Sequence, residues 1–282
     1  MAKTKVQLPT TSVKGLVKNT HRFLLGRPIF YKLNTTALFF VLRSLGVHNY
    51  ENIKVSGEAA FLKSKWVQKI VSQSEYPVFL DIGAHMGEYA NRLKKLYPHA
   101  TVYAFEPHPK TFQHLQTAAA EYAYTAKNVA CSDVEGNLNL YDYSEEGSEL
   151  ASLCEGAIDK IHHKPNVQSW EIQSTTIDRF IQECNITQIN LMEIDTEGYE
   201  FKVLLGCQEA IRNRAIDMIQ FEFNSMNVFT RVFFQDFQNL LKGYCLFRIL
   251  PNGGLVSLEP YEPLLCEIFR FQNIVAIRKE CM

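Results

Sequence analysis

The stretch FLDIGAHMGEYA, Phe79–Ala90, puts an acid, Asp81, at the end of an apolar run and follows it with Gly83 and Gly87. Glycine lacks a Cβ, so backbone there can bend sharply and approach a ligand closely. A helix starting near Gly87 would turn its free N–H groups toward the same crevice. More acids end the later apolar runs: Glu106 in VYAFEP, Asp133 in VACSD, Glu193 and Asp195 in LMEIDTEG, Glu222 in QFEFN. An acid at the first strand end suits a cationic or hydrogen-bond-donating ligand better than a pyrophosphate. The G-x-G-x-x-G spacing of dinucleotide sites also fails, because His85 and Glu88 occupy the second and third glycine positions. S-adenosylmethionine fits: it has an ammonium, a sulfonium and two ribose hydroxyls, and no phosphate.

Each acid then takes a role. Glu106 can accept bonds from both ribose hydroxyls, a device shared with NAD enzymes. Asp133, with the Ser132 backbone beside it, either accepts from an adenine amino group or belongs to a surface turn, SDVEG; the residues leave both readings open. Glu193 and Asp195 lie two apart on a strand and face the same way, and Glu197 follows in the turn. A hydroxyl nucleophile benefits from a base, and the candidates are Asp195, Glu197 and His85. Asp195 is favoured because its strand end points into the crevice. His85 has the better unperturbed pKa, but in the cofactor loop it is expected to bond backbone or the methionine carboxylate. An alternative makes Glu193, Asp195 and Glu222 ligands of a divalent metal that orients a diol. His162 and His163 read as solvated loop residues.

Positioning these groups requires a sheet whose strands end together. From Val78 the chain alternates strand-like and helix-like segments: VFLD, then GEYANRLKKLY stopped by Pro98, then ATVYAFEP, then a helix opened by Pro107 and Pro109. AKNVACSD reads as a third strand and NLNLYDY as a strand with one wet face. Residues 144–166 are polar and turn-rich. SWEIQSTTIDRFIQEC runs from strand to helix, with Thr175 or Thr176 as N-cap. QINLMEID and IDMIQFEFN are strands, each followed by a helix, and YCLFRIL, GLVSL and FQNIVAIRK are late strands. The alternation predicts a mostly parallel sheet covered on both faces, with an antiparallel addition at one edge. Such sheets bind ligands outside the carboxyl ends of their strands.

Composition narrows the class. The 282 residues carry a net charge of −1, which draws the chain neither to nucleic acid nor to membrane as a whole. Residues 1–50, however, hold eight Lys or Arg and no Asp or Glu, leaving 21 against 30 in the remainder. That start resembles a transit peptide or a strip resting on anionic lipid, or forms a solvated helical extension packed on the main domain. Seven cysteines without a C-x-x-C pair argue for a reducing compartment. No membrane span or secretory signal is visible, so a cytoplasmic location is expected.

The ordered set FLDIGAHMGEY, VYAFEPHP, ELASL, TTIDRF and IDTEGYEFKVLLG resembles the FkbM-type methyltransferases, and NYENIKVSGEAAFLK resembles the lead-in of some members. The likeness spans Asn49 to Gly206 and weakens beyond. It implies a class I methyltransferase (Rossmann-like) α/β fold, doubly wound and mostly parallel, with seven strands and an antiparallel edge strand. It implies S-adenosylmethionine as cofactor and methyl transfer to an oxygen of a sugar or another small metabolite. Carried over by position, the cofactor loop is Asp81, Gly83, Ala84, His85 and Gly87, the ribose acid is Glu106, and the D-x-E-G element is Asp195, Glu197 and Gly198. The chain departs from the family at His85, commonly Asn, and at Glu193, often Lys. The second change reverses a charge beside the expected reaction centre.

A basic helical extension over residues 1–75 and a methyltransferase domain over 76–282 are expected. The expected partner is a small-molecule acceptor, carbohydrate among the candidates, with no nucleic acid and with peripheral membrane contact open through the basic segment. The competing readings are a degenerate methyltransferase fold acting as a binding or membrane-surface module, and an NAD-dependent oxidoreductase.

Overall fold

The computed structural model describes residue 21 and residues 23–282; the earlier part of the basic extension lies outside the described residues. Contacts divide the chain between Leu45 and Gly46, not at residue 75. The boundary moves because Phe61, Leu62, Val67 and Ile70 share one buried cluster with Phe79 and Leu93. In the first unit a short 3-10 turn, Pro28–Phe30, leads into a helix, Tyr31–Ser44.

In the second unit the strands are β1 Val78–Ile82, β2 Thr101–Phe105, β3 Thr125–Lys127, β4 Ala130–Cys131, β5 Gly136–Asp142, β6 Gln168–Thr175, β7 Leu191–Ile194, β8 Met218–Glu222, β9 Tyr244–Ile249, β10 Leu255–Ser257 and β11 Asn273–Arg278. Eight of them form one sheet in the order β10-β9-β11-β8-β7-β1-β2-β3. β3, β2, β1, β7 and β8 pair in parallel, whereas β11 pairs antiparallel with both β8 and β9, and β10 antiparallel with β9. The sheet therefore has one strand more than the seven expected, and the antiparallel edge is β10. The strand order reverses beside β1, and a site is expected there.

The third expected strand, AKNVACSD, splits. β3 stays in the main sheet, and β4 crosses to a second sheet of order β4-β6-β5. Asn128 sits at the break and donates from its side chain to the carbonyls of Glu106, at 2.8 Å, and Pro107, at 3.1 Å. The small sheet carries the polar segment 143–167 over the carboxyl edge of the large one.

Two-residue periodicity sorts the core. Leu80, Ile82, Met192, Ile194, Ile219 and Phe221 pack on one face of the large sheet, and Phe79, Leu191 and Met218 on the other. Asp81, Glu193 and Gln220 alternate with the first set, so all three point to the second face. The helix Glu88–Leu96 covers them there, burying Tyr89, Ala90 and Leu93. His108 N-caps the helix Pro109–Tyr122, its ring nitrogen accepting from Thr111 N at 3.3 Å. Thr176, the second of the two expected caps, does the same for Ile177–Cys184, accepting from Arg179 N at 3.1 Å.

Candidate active site

Register places Asp81 opposite Glu193 and Glu193 opposite Gln220, a polar row across three parallel strands. Asp81 Oδ2 accepts from Ala90 N at 2.9 Å, so the helix after the glycine turn is tied to the first strand end. Tyr89 donates to Gln220 at 2.9 Å, Gln220 to Glu58 at 2.8 Å, and Ser56 to Glu58 at 2.6 Å. Burial pushes the Asp81 carboxyl up to about 7, against a hydrogen bond from Ala90 that lowers it. Burial and the Asp81 charge push Glu193 well above the carboxylate range. Two adjoining buried carboxyls cannot both ionise, so this pair holds a proton near neutrality.

Glu106 ends β2 and is held from both sides. His108 N donates to one oxygen at 2.7 Å and His85 N to the other at 3.0 Å. Burial outweighs those two bonds and sets its carboxyl at about 7. Ionising it at that site therefore costs roughly 3 kcal/mol more than in water. Each oxygen keeps lone-pair capacity for a further donor.

The glycine turn and the D-x-E-G loop meet over the strand ends. Gly83 has φ +89°, and a Cβ there would lie 1.7 Å from the Asp195 carbonyl oxygen, so no other residue fits. His85, with φ 47°, and Glu197, with φ 49°, hold left-handed backbone that L side chains adopt rarely. Such strain clusters at functional sites. Glu200 secures the loop: one of its oxygens accepts from Thr196 N, Thr196 Oγ1 and Gly198 N at 3.1, 3.2 and 3.0 Å. Ser152, within ELASL, donates to the Glu197 carbonyl at 2.7 Å, which docks the small sheet's loop on the D-x-E-G element.

Side chains at this mouth are less satisfied. Asp195 is solvent-accessible at the cavity mouth, and desolvation of its carboxyl, with the Glu200 charge adding to the effect, lifts it to about 8. Burial and the charge of Asp195 raise Glu197 well above its usual value. His162 Nε2 stands 3.9 Å from Glu197 Oε2. Burial lowers the pKa of both His85 and His162, keeping each ring neutral, and Nε2 of each is buried without a hydrogen-bond partner.

All of this surrounds one cavity of about 660 Å³, lined by Asp81, Glu106, Glu193, Asp195, Glu197 and Glu222. Gly83, Ala84 and His85 line it too, and Arg270 is the one Lys or Arg on its wall. Three sequence candidates fall elsewhere. Ser132 and Asp133 are absent from the lining: Asp133 pairs with Lys202 at 2.7 Å, which lowers its pKa, and Ser132 bonds Asp133 at 3.1 Å. The stretch Val129–Cys131 lines the cavity in their place. Gly87 shapes the turn rather than the wall; a Cβ there would meet the Tyr124 hydroxyl at 2.3 Å. Among the described residues no group of three or more His, Cys, Asp or Glu is arranged to hold a metal ion, so Glu193, Asp195 and Glu222 do not form the ligand set considered from sequence. Glu222 is instead bonded by Asn224 Nδ2 at 2.9 Å.

The family model described as the methyltransferase FkbM domain matches residues 81–249, from the first strand-end acid to the end of β9. The chain belongs to the FkbM methyltransferase family. Among curated proteins it is 25% identical over 154 residues to the 2-O-methyltransferase NoeI of Sinorhizobium fredii (strain NBRC 101917 / NGR234), a match covering 51% of this chain and 63% of that one. It is also 25% identical over 178 residues to Methyltransferase 1 of Beauveria bassiana (strain ARSEF 2860), covering 57% of this chain and 72% of that one. Among solved structures it is similar to the plantazolicin methyltransferase BpumL, with a TM-score of 0.43, 9% identity, and coverage of 95% of this chain and 99% of that one.

Within this FkbM chain several site residues escaped the sequence reading. His162 was legible only as part of a polar loop, and nothing in its neighbours marks it. Glu58 lies some 20 residues before the first strand and reaches the cavity through the lead-in segment. Glu200, the first residue of its helix, reaches back to the loop N–H groups of Thr196 and Gly198, a contact that the four-residue Thr–Glu spacing does not announce as a capping box would.

Proposed function

We propose that this chain transfers a methyl group from S-adenosylmethionine to a hydroxyl of a small metabolite, with a sugar-like polyol as the acceptor class. The observation that carries this reading is the convergence of acids from four parallel strand ends on one cavity beside a glycine turn. The residues fit the donor. Glu106 keeps lone pairs for two ribose hydroxyls, Gly83, Ala84 and His85 line the cavity with it, and the Asp81–Glu193 pair offers negative charge to a cation. S-adenosylmethionine, when bound, supplies an electrophilic methyl on a positively charged sulfur.

The chain's own groups do the rest. They hold the acceptor oxygen in line with that methyl, and positioning of this kind supplies much of the rate. Asp195 takes the hydroxyl proton, since a carboxyl at about 8 lies close to a working pH near neutrality. A cation in the same cavity draws its pKa down and frees the carboxylate. Glu197 stays protonated beside it and faces the neutral His162 ring. Ser148, Glu149, Asn224 and Ser225 give the outer wall polar groups suited to a polyol. The likeness to a protein named as a 2-O-methyltransferase supports oxygen as the acceptor atom.

The test is incubation with methyl-labelled S-adenosylmethionine, a panel of glycosides and simple alcohols, and a metabolite extract, read by mass spectrometry. Label in an O-methyl product is expected. Binding of S-adenosylhomocysteine with no transfer to any acceptor would instead make the chain a binding module.

A further inference from the structure

The helix Tyr31–Ser44 has no buried residue. Its sequence, YKLNTTALFFVLRS, is nevertheless strongly apolar. Phe40 is 68% exposed, Leu33 59% and Leu38 54%, and Ile29, in the turn just before, is 82% exposed. A helix apolar around most of its girth is normally covered by something. At 100° per residue, Leu33, Ala37, Phe40 and Val41 share one side, while Lys32 and Arg43 fall together on an adjacent arc.

Charge identifies what covers it. Residues 1–50 contain eight Lys or Arg and no Asp or Glu, and the rest of the chain is acidic. A surface that is both apolar and anionic complements this segment. An anionic bilayer has that chemistry: acyl chains take Leu33 and Phe40, and lipid headgroups take the flanking cations. The helix has 14 residues, about 21 Å of length, well short of what crosses a bilayer. Among the described residues no helix is long and apolar enough to span. We infer that this helix lies in the interface of an anionic membrane and docks the enzyme there. The acidic remainder cannot be drawn to such a surface, so the attraction must come from this segment. The inference is independent of which acceptor is methylated.

The test uses the full chain with sedimenting vesicles of phosphatidylcholine alone or with phosphatidylglycerol added. Partitioning onto the anionic vesicles is expected to exceed that onto neutral ones by about tenfold at low salt and to fall at high salt. The double variant Leu33→Ser, Phe40→Ser is expected to lose that gain of about tenfold. Both positions are exposed, and unchanged circular dichroism melting verifies the fold. Equal partitioning onto both vesicle types, or partitioning that the variant keeps, overturns the proposal. So does a lipid-free dimer seen by light scattering that the variant dissociates, because a second copy would then be what covers the helix.

Discussion

The floor and the mouth of the cavity are both acidic, yet they are built in opposite ways. On the floor, Asp81, Glu193 and Glu106 extend from strands that pair on both sides, and Asp81 and Glu106 already accept backbone N–H bonds. At the mouth, Asp195, Glu197, His85 and His162 sit on turns, two of them with left-handed backbone, and both rings keep an unbonded Nε2. Satisfied groups on rigid elements hold a ligand in one pose. Among the mouth groups Asp195, lifted to about 8, can exchange a proton near neutrality. We therefore propose binding for the floor and chemistry for the mouth.

Substitutions can break that assignment, and the largest effect is expected at Asp195. Asp195→Asn should lower kcat by about 10²–10⁴-fold, with S-adenosylhomocysteine affinity by calorimetry little changed. A large loss of affinity with normal turnover would move Asp195 to the floor. Glu106→Ala should do the reverse, weakening S-adenosylhomocysteine about 10–100-fold through lost charge-assisted hydrogen bonds. Acceptor KM should stay near its original value in that variant.

A pH series sharpens the comparison. Carboxyls raised to about 7 at Asp81 and Glu106 and about 8 at Asp195 bind protons in the folded state that the unfolded chain releases near 4. Folding stability of the ligand-free protein is therefore highest at the acidic end of this window and falls as pH rises through 8. Over the same range the cavity gains negative charge. The preference for cationic S-adenosylmethionine over S-adenosylhomocysteine should grow by roughly tenfold between pH 6 and 8.5, as one ionisation of about 1.4 kcal/mol would give. A flat ratio would mean the acids do not face the sulfur. The smallest effect is expected from Ser152→Ala, which removes one bond to the Glu197 carbonyl, about 1 kcal/mol. It should appear as a few-fold loss of kcat with unchanged cofactor affinity.

The floor was legible in the sequence, as were Asp195, Glu197 and His85 at the mouth, whereas His162 and Ser152 were not, for a physical reason. Buried parallel strands write themselves as apolar runs, so an acid ending one, as Asp81, Glu106 and Asp195 do, stands out against its neighbours. Gly83 was legible because no side chain fits beside the Asp195 carbonyl. His162 and Ser152 lie in a turn-rich segment held over the cavity by a second sheet, which the chain enters just after Asn128 bonds the Glu106 carbonyl. Side-chain bonds to carbonyls 21 and 22 residues earlier leave no periodicity to read. Of the two readings open for Asp133, its ion pair with Lys202 favours the surface turn.

Calorimetric titration of the full chain with S-adenosylhomocysteine and, separately, with NAD tests most directly whether the acid floor holds a phosphate-free nucleoside. One S-adenosylhomocysteine per chain, with no heat from NAD, is the expected result. NAD binding as tightly as S-adenosylhomocysteine, or neither ligand binding, would contradict it.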